Sequence, residues 1–181
     1  MKRTTTVLVM GLFCSAWWGA KAQAADLLFF GLEAPLSYKF DQAKDGGRFA
    51  AQGSPAGLIL YAKAPEVGMV MLEAYDVALK NSENSKFSYL LADFLYPYSL
   101  PFLDLAFGVG MGTANLKSGF ATEYQQATAY QWIFQAGLPI TETIRLTYSY
   151  HSVTAQLKYL SGNTYLEAGG TMTALGIGMG F

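Results

Sequence analysis

The sequence predicts an all-β fold, an antiparallel up-and-down transmembrane β-barrel of eight strands. Three observations lead to this prediction. Apolar residues alternate with small or polar residues in several segments of about ten residues, which is the length that a tilted strand needs to cross a membrane. The connections between these segments alternate between short and long. The chain also begins with a segment typical of exported proteins.

The N-terminal segment has the layout of a signal peptide. Two basic residues precede an apolar run over 7–20, and the small-residue pattern Ala22-Gln23-Ala24 follows as a cleavage site. The apolar run is about 14 residues long, shorter than the roughly 20 that a membrane-spanning helix needs. We therefore expect a signal peptide over 1–24, cleaved near Ala24, and one mature domain over 25–181.

The composition of the expected mature domain argues against several classes of function. The only cysteine, Cys14, falls in the signal peptide, so the domain has neither a disulfide nor thiolate chemistry. Three of the 12 basic residues also fall there, which leaves nine against 13 acidic residues and argues against a nucleic-acid partner. No metal-ligand cluster or cofactor motif is visible, so we expect neither a metal nor a cofactor.

The alternation is clearest in two segments. In 171–181 the bulky residues fall on one face and glycines on the other, with Leu175, Ile177, Met179 and Phe181 opposite Gly176, Gly178 and Gly180. In 102–112 the same pattern recurs, with Leu103, Leu105, Phe107, Val109 and Met111 opposite Asp104, Ala106, Gly108 and Gly110. Lipid outside and a narrow lumen inside require such faces.

The remaining strands and their connections complete the barrel. Six further strands are expected at about 27–38, 56–64, 67–79, 87–96, 130–138 and 144–151. Short turns are expected at 64–66, 97–101 and 139–143, and longer polar loops at 40–54, 80–86, 113–127 and 154–170. Outer-membrane barrels have short periplasmic turns and longer external loops, so we expect both termini in the periplasm. Pro97 and Pro101 fall in an expected turn, where a missing N–H costs no ladder bond, whereas Pro35 falls inside a strand.

The alternating last strand ending in Phe181 resembles the assembly signal of outer-membrane barrels, and the mature chain resembles small eight-stranded barrels of the OmpA/OmpX/OmpW type. The resemblance covers the architecture of the mature chain and includes no motif of one family. It implies a place in the outer membrane of a Gram-negative bacterium, among lipids that include lipopolysaccharide. It also implies recognition by the barrel assembly machinery through the C-terminal strand. The oligomeric state stays open.

If the bulky faces point to lipid, a set of ionisable residues points into the lumen: Glu33, Glu73, Asp93, Asp104, Arg145 and His151. Buried charges must pair or lose their charge. Asp93 and Asp104 are nearly equidistant from the turn at 97–101, so we expect them to face each other, with Arg145 at a similar height. Two interpretations stay open because they need the same residues: a structural plug tied down by Arg145, and a cation or proton site in a narrow acidic pore.

His151, the only histidine, suggests an alternative function. Together with Ser149 and Glu167 it is similar to the residues of membrane-embedded lipid A deacylases of the PagL kind, which are also eight-stranded barrels. The resemblance implies that these three residues would hydrolyse an acyl ester. Those enzymes carry serine and then asparagine from the second position after the histidine, whereas this chain has Val153 and Thr154 there.

The sequence thus predicts a barrel with a structural, surface-interaction or narrow-passage role in the Gram-negative envelope, leaning towards no enzymatic activity. The lipid A acyl-ester hydrolase is the alternative. A soluble periplasmic barrel that binds a small ligand is a second alternative, although such a barrel would turn its apolar faces inward. The long loops have the mixed charge of any solvated loop, so they assign no partner.

Overall fold

A computed structural model describes residues 28–41, 50–64, 67–80, 85–117, 124–160, 163 and 165–181. The expected signal peptide lies outside the described residues. The described residues form nine strands: β1 (Phe29–Phe40), β2 (Ala56–Ala64), β3 (Gly68–Ala78), β4 (Lys86–Leu100), β5 (Leu103–Lys117), β6 (Ala127–Pro139), β7 (Ile144–Lys158), β8 (Tyr165–Glu167) and β9 (Gly170–Gly180). No helix among these residues is long and apolar enough to cross a membrane.

Eight of the strands close into an antiparallel barrel. Each strand from β1 to β6 pairs with its successor, and β9 pairs with both β7 and β1, which completes the circle. The short β8 instead pairs with the far end of β7, where Gln156 lies opposite Glu167. The expected all-β, eight-stranded up-and-down barrel is therefore confirmed.

The two ends of the barrel differ in the length of their connections. We call the end that carries the connections 40–56, 78–86, 117–127 and 158–170 the long-loop end. We call the other end, with the connections 64–68, 100–103 and 139–144, the short-turn end. Residues 28 and 181, where the described chain begins and ends, also lie at the short-turn end, joined by backbone hydrogen bonds between Leu28 and Phe181 of 3.2 and 3.0 Å.

A belt of exposed apolar side chains surrounds the barrel. Every strand of the closed wall contributes at least one large member, for example Leu32, Leu60, Leu72, Phe94, Val109, Phe134, Tyr148 and Ile177. The residues between them point into the lumen and are buried. An apolar surface that encircles a protein is suited to lipid rather than to water, so the two faces of each strand match a membrane barrel.

The lumen is packed with side chains, many of them apolar. Among its apolar members that are exposed by 1% or less are Ile59, Met69, Met71, Leu91, Leu95, Ile133 and Met172. Glycines on the inward face make room for long side chains from neighbouring strands. A Cβ atom at Gly110 would lie 1.5 Å from Asp93 Oδ1, and one at Gly178 would lie 2.2 Å from Tyr61 Oη.

The hairpin between β4 and β5 differs from the expectation. Pairing continues as far as Leu100 opposite Leu103, so the turn consists of two residues rather than the expected 97–101. Pro97 consequently lies within β4, opposite Ala106, and the expectation that it marks a turn is wrong. A tight two-residue connection is a common solution for a hairpin, and it moves the centre of the turn towards the C-terminus.

Strand ends at the long-loop end also differ from the expectation. β5 and β7 run on to Lys117 and Lys158, and β8 forms inside 154–170, which was expected to be a loop. Inside β1, the register with β9 shifts between Pro35 and Ser37. A bulge of this kind lets a strand include a residue without an N–H.

Candidate functional site

The middle of the lumen holds a buried group of polar side chains, which we call the central network: Glu33, Glu73, Asp93, Gln131, Gln135, Ser149 and His151. They come from β1, β3, β4, β6 and β7, and none is more than 6% exposed. Period-two alternation puts each of them on the inward face, and barrel closure brings strands that are distant in sequence together.

Glu33 is held by two donors. Gln135 Nε2 donates to its Oε1 at 2.7 Å, and Ser149 Oγ donates to its Oε2 at 2.5 Å. Both carboxyl oxygens therefore have partners. Because a serine hydroxyl has only one proton, Ser149 has none left to give to another acceptor.

His151 links Ser149 to Glu73. Its Nε2 lies 2.7 Å from Ser149 Oγ, and since the serine proton goes to Glu33, the histidine must be the donor in this contact. On the other side of the ring, Nδ1 lies 2.9 Å from Glu73 Oε1. The distance is short, but His151 Nδ1 has no hydrogen-bond partner, so this contact does not have the geometry of a hydrogen bond. We treat it as a close electrostatic contact.

Gln131 joins two further carboxyl groups. Its Nε2 donates to Glu73 Oε1 at 2.9 Å and to Asp93 Oδ1 at 2.7 Å. Glu73 Oε2 and Asp93 Oδ2 have no hydrogen-bond partner among the described residues. The central network thus contains three carboxyl groups and one imidazole. Within the described residues, no group of three His, Cys, Asp or Glu is arranged to hold a metal ion.

A second group, the basal cluster, lies at the short-turn end and consists of Lys63, Ser99, Asp104 and Arg145. Asp104 forms an ion pair with Arg145 and a second one, of 3.3 Å, with Lys63. Lys63 Nζ also lies 3.4 Å from Ser99 Oγ. The guanidinium of Arg145 stacks on the ring of Phe29 at 3.7 Å from its centroid, a cation–π contact. Here the cations outnumber the acids, the reverse of the central network.

A third group, the aromatic plug, fills the lumen towards the long-loop end and consists of Tyr38, Tyr75, Tyr89, Phe40 and Phe87. Tyr89 stacks on Tyr38 and Tyr75, with ring centroids 5.7 and 5.0 Å apart. Tyr89 Oη donates to the carbonyl oxygen of Ala168 at 2.5 Å, which ties the plug to the segment before β9. All three tyrosines are at most 4% exposed.

Asp93 and Asp104, expected to face each other, are separated in the structure. Asp93 lies opposite Gly110 and Asp104 opposite Ser99, so the expectation of a facing carboxylate pair is wrong. The reason is the displaced turn described above, because moving a hairpin turn shifts every cross-strand partner. Asp104 therefore belongs with Arg145 in the basal cluster, and Asp93 with Glu73 in the central network.

Of the three residues named for a hydrolase, two are close and the third is elsewhere. Ser149 and His151 are in contact, but Glu167 is in β8, where its Oε1 accepts from Gln156 Nε2 at 2.6 Å. Ser149 donates its proton to Glu33 and accepts one from His151, the opposite of what a nucleophile needs from its base. Both residues are 0% exposed.

The roles of several residues in these groups were not predicted from the sequence. Lys63 carries a signal, because it shares the parity of the buried Ile59 and Tyr61 on β2. Gln131 and Gln135 lie on the inward face of the expected strand at 130–138, but the sequence did not identify them as the donors to the carboxyl groups. Their partners lie on strands across the lumen, and no spacing along the chain encodes that contact.

A closed eight-stranded barrel with an apolar belt and a filled lumen is the architecture of the small outer-membrane β-barrels. Three solved structures of such barrels resemble this chain. Neisserial surface protein A matches with a TM-score of 0.56 at 12% identity, over 85% of this chain and 97% of that one. The outer membrane protein OprG from Pseudomonas aeruginosa matches with 0.51 at 15%, over 90% and 98%. Ail, the attachment invasion locus protein of Yersinia pestis, matches with 0.51 at 15%, over 86% and 97%.

These similarities establish the fold, which is that of the small eight-stranded OmpA/OmpX/OmpW type. No family model matches the chain, and a search of curated proteins also found no match.

Proposed function

We propose that this protein is a structural barrel of the Gram-negative outer membrane whose lumen does not conduct solutes. The observation that carries the proposal is that side chains occupy the lumen at three levels: the aromatic plug, the buried central network and the basal cluster, in which Arg145 is buried and Lys63 and Asp104 are partly exposed. An eight-stranded barrel is only wide enough for its own side chains. A solute would have to displace all three groups to pass.

Two further observations support a place in the outer membrane. The apolar belt encircles the barrel, and burying it in lipid removes it from water. The segment 1–24 has the features of a signal peptide, which would deliver the mature domain to the periplasm for insertion. The short-turn end would then face the periplasm and the long-loop end the exterior.

The contacts of Ser149 argue against the hydrolase alternative. Its hydroxyl proton is engaged by Glu33 at 2.5 Å, and neither it nor His151 is accessible to a lipid. The same contacts fit a structural role, because Glu33 accepts hydrogen bonds from β6 and β7 on its two carboxyl oxygens, which favours one arrangement of these strands.

Location is tested by fractionation of cells that express the full chain. We expect the protein in the outer-membrane fraction, retained after a urea wash. Release with the periplasmic contents would contradict the proposal and favour the soluble ligand-binding barrel.

Conduction is tested in planar bilayers with purified, folded protein. We expect no discrete conductance steps from the wild type, and none from Asp93→Asn. Steps in the wild type that change in Asp93→Asn would overturn the closed lumen and support narrow passage through the central network. A wide, water-filled porin of about 16 strands, reconstituted in the same way, serves as the positive control for insertion.

A further inference from the structure

The outward face of β3, β4 and β5 changes character near the long-loop end. Two rows of cross-strand partners mark the change. The inner row is Asp76, Ser88 and Asn115, and the outer row is Ala78, Lys86 and Lys117. Nearer the middle of the barrel, the corresponding rows are mostly apolar, with members such as Leu72, Leu90 and Met111. A polar patch with two lysines therefore borders the apolar belt directly.

Lys86 and Lys117, which we call the lysine pair, are direct cross-strand partners. Like charges opposite each other on one face of a sheet repel and destabilise the strand pair. Their charge is balanced in part by Asp76. Lys86 Nζ lies 2.5 Å from Asp76 Oδ2, while Ser88 Oγ donates to Asp76 Oδ1 at 2.5 Å.

Among the residues that the structure describes in this patch, two lysines face one aspartate, which gives one positive charge in excess. Both carboxyl oxygens of Asp76 are engaged by Lys86 and Ser88. Lys117 hydrogen-bonds to none of the side chains that the structure describes and interacts with Asp76 only by electrostatic attraction. The donors that remain available are two ammonium groups and the amide of Asn115. Such a set of donors suits an anion with several oxygens, above all a phosphate group.

The height of the patch matches the headgroup layer of a membrane. The ammonium of Lys86 leans back to the level of Ser88, two residues beyond Leu90. Those two residues rise roughly 7 Å along the strand, or roughly 5 Å along the membrane normal at a tilt of about 40°. The polar layer on each side of the hydrocarbon core is about 5–8 Å thick.

The distribution of lysines distinguishes the two ends of the barrel. Lys39, Lys80, Lys86, Lys117 and Lys158 all lie at the long-loop end. At the short-turn end, the described cations are Lys63 and Arg145, and both point into the lumen towards Asp104. Outward cations among the described residues thus face only one leaflet.

We propose that the lysine pair, together with Asn115, binds a phosphate group of a lipid in the leaflet at the long-loop end. This inference rests on the proposed membrane location. Asp76 and Ser88 act as positioning residues, because they hold the Lys86 ammonium at the edge of the apolar belt. The phosphate places its negative charge between two lysines that otherwise repel, so binding also stabilises the β4–β5 pairing.

The test is a binding titration of the folded full-length mature protein in zwitterionic-detergent micelles. The probes are bisphosphorylated lipid A, the same lipid with its phosphates removed, and inorganic phosphate. The variants are Lys117→Gln, Lys86→Gln/Lys117→Gln and the charge-matched control Lys39→Gln/Lys158→Gln. Membrane insertion of each variant is measured separately by fractionation.

An electrostatic contribution of one lysine to binding an anionic lipid corresponds to about 5-fold in affinity, so the double variant should bind phosphorylated lipid A about 30-fold more weakly. Lys117→Gln, which breaks no described contact, should lose about 5-fold. The control should lose less than 3-fold, because its lysines lie on other strands.

Three outcomes would overturn the site. If the wild type bound the dephosphorylated lipid as tightly as lipid A, the phosphate would not be the group that is recognised. If the control variant lost as much affinity as the double variant, binding would be a diffuse electrostatic attraction rather than a site. Saturation by inorganic phosphate at concentrations similar to those of the lipid would identify a free anion rather than a headgroup as the ligand. Failure of the wild type to reach the membrane would instead refute the proposed function, and it is visible in the fractionation alone.

Discussion

Gly110→Ala should destabilise this barrel by displacing the carboxyl group of Asp93. The new Cβ atom would lie 1.5 Å from Asp93 Oδ1 and 2.9 Å from the carbonyl oxygen of Ala92. Asp93 Oδ1 is the atom that accepts the 2.7 Å hydrogen bond from Gln131. The carboxyl group therefore has to move, and the hydrogen bond to Gln131 has to break.

The expected cost follows from these two effects. Losing a buried hydrogen bond to an ionisable group costs about 1.5–3 kcal/mol, and overpacking a filled interior costs about 1–3 kcal/mol. We expect Gly110→Ala to lower the free energy of unfolding by about 3–5 kcal/mol. Gly137→Ala is the matched control, since its Cβ would lie 3.4 Å from the nearest atom, Asp104 Cβ, and should cost under about 1 kcal/mol.

The assay is urea-induced unfolding from phospholipid vesicles, followed by tryptophan fluorescence. Trp132 is the only tryptophan after residue 24, and it faces outward at 44% exposure, so its emission reports contact with lipid. Wild-type stability in Gly110→Ala, or an equal loss in Gly137→Ala, would refute the packing of Asp93 against β5.

Three further predictions concern other parts of the barrel. Arg145→Met should lower the free energy of unfolding by about 3 kcal/mol, because it leaves Asp104 with one weaker partner, and the same urea titration checks it. Ser149→Ala should cost about 1.5–3 kcal/mol by leaving a buried oxygen of Glu33 without a donor, while the mass of lipid A from expressing cells stays the same with and without the substitution. Loss of an acyl chain only with intact Ser149 would revive the hydrolase. Deletion of Phe181 should reduce the yield of folded barrel in the outer membrane, measured as heat-modifiable protein on gels, and an unchanged yield would argue against its role in assembly.

The barrel itself was predictable because the two-residue alternation of side chains along each strand is a property of the local sequence. A strand with lipid on one side and a filled lumen on the other must alternate every residue, so Leu175, Ile177 and Met179 indicated their orientation without any knowledge of their neighbours. Strand ends were less predictable, because Pro97, one of the two prolines in the expected turn at 97–101, is tolerated near the end of β4. The shift of that turn separated Asp93 from Asp104.

The partners of the lumenal residues were not predictable from spacing. His151 meets Glu73 because β7 and β3 face each other across the lumen, although they are not neighbours in the wall. The pairing of Lys63 with Asp104 and Arg145 likewise joins β2, β5 and β7. Such contacts depend on barrel diameter, stagger and the room left by glycines, all of which are properties of the closed structure.

Sequence alone determined which side of each strand meets lipid, how many strands form the barrel wall and, apart from Lys63, which ionisable groups enter the lumen, because these follow from a two-residue period and from the cost of exposing polar groups to hydrocarbon. Tertiary structure alone decided which of those groups touch. Closing the sheet sets a stagger between strands, and that stagger brought His151 against Glu73 in the middle and two cations against one carboxylate at the end.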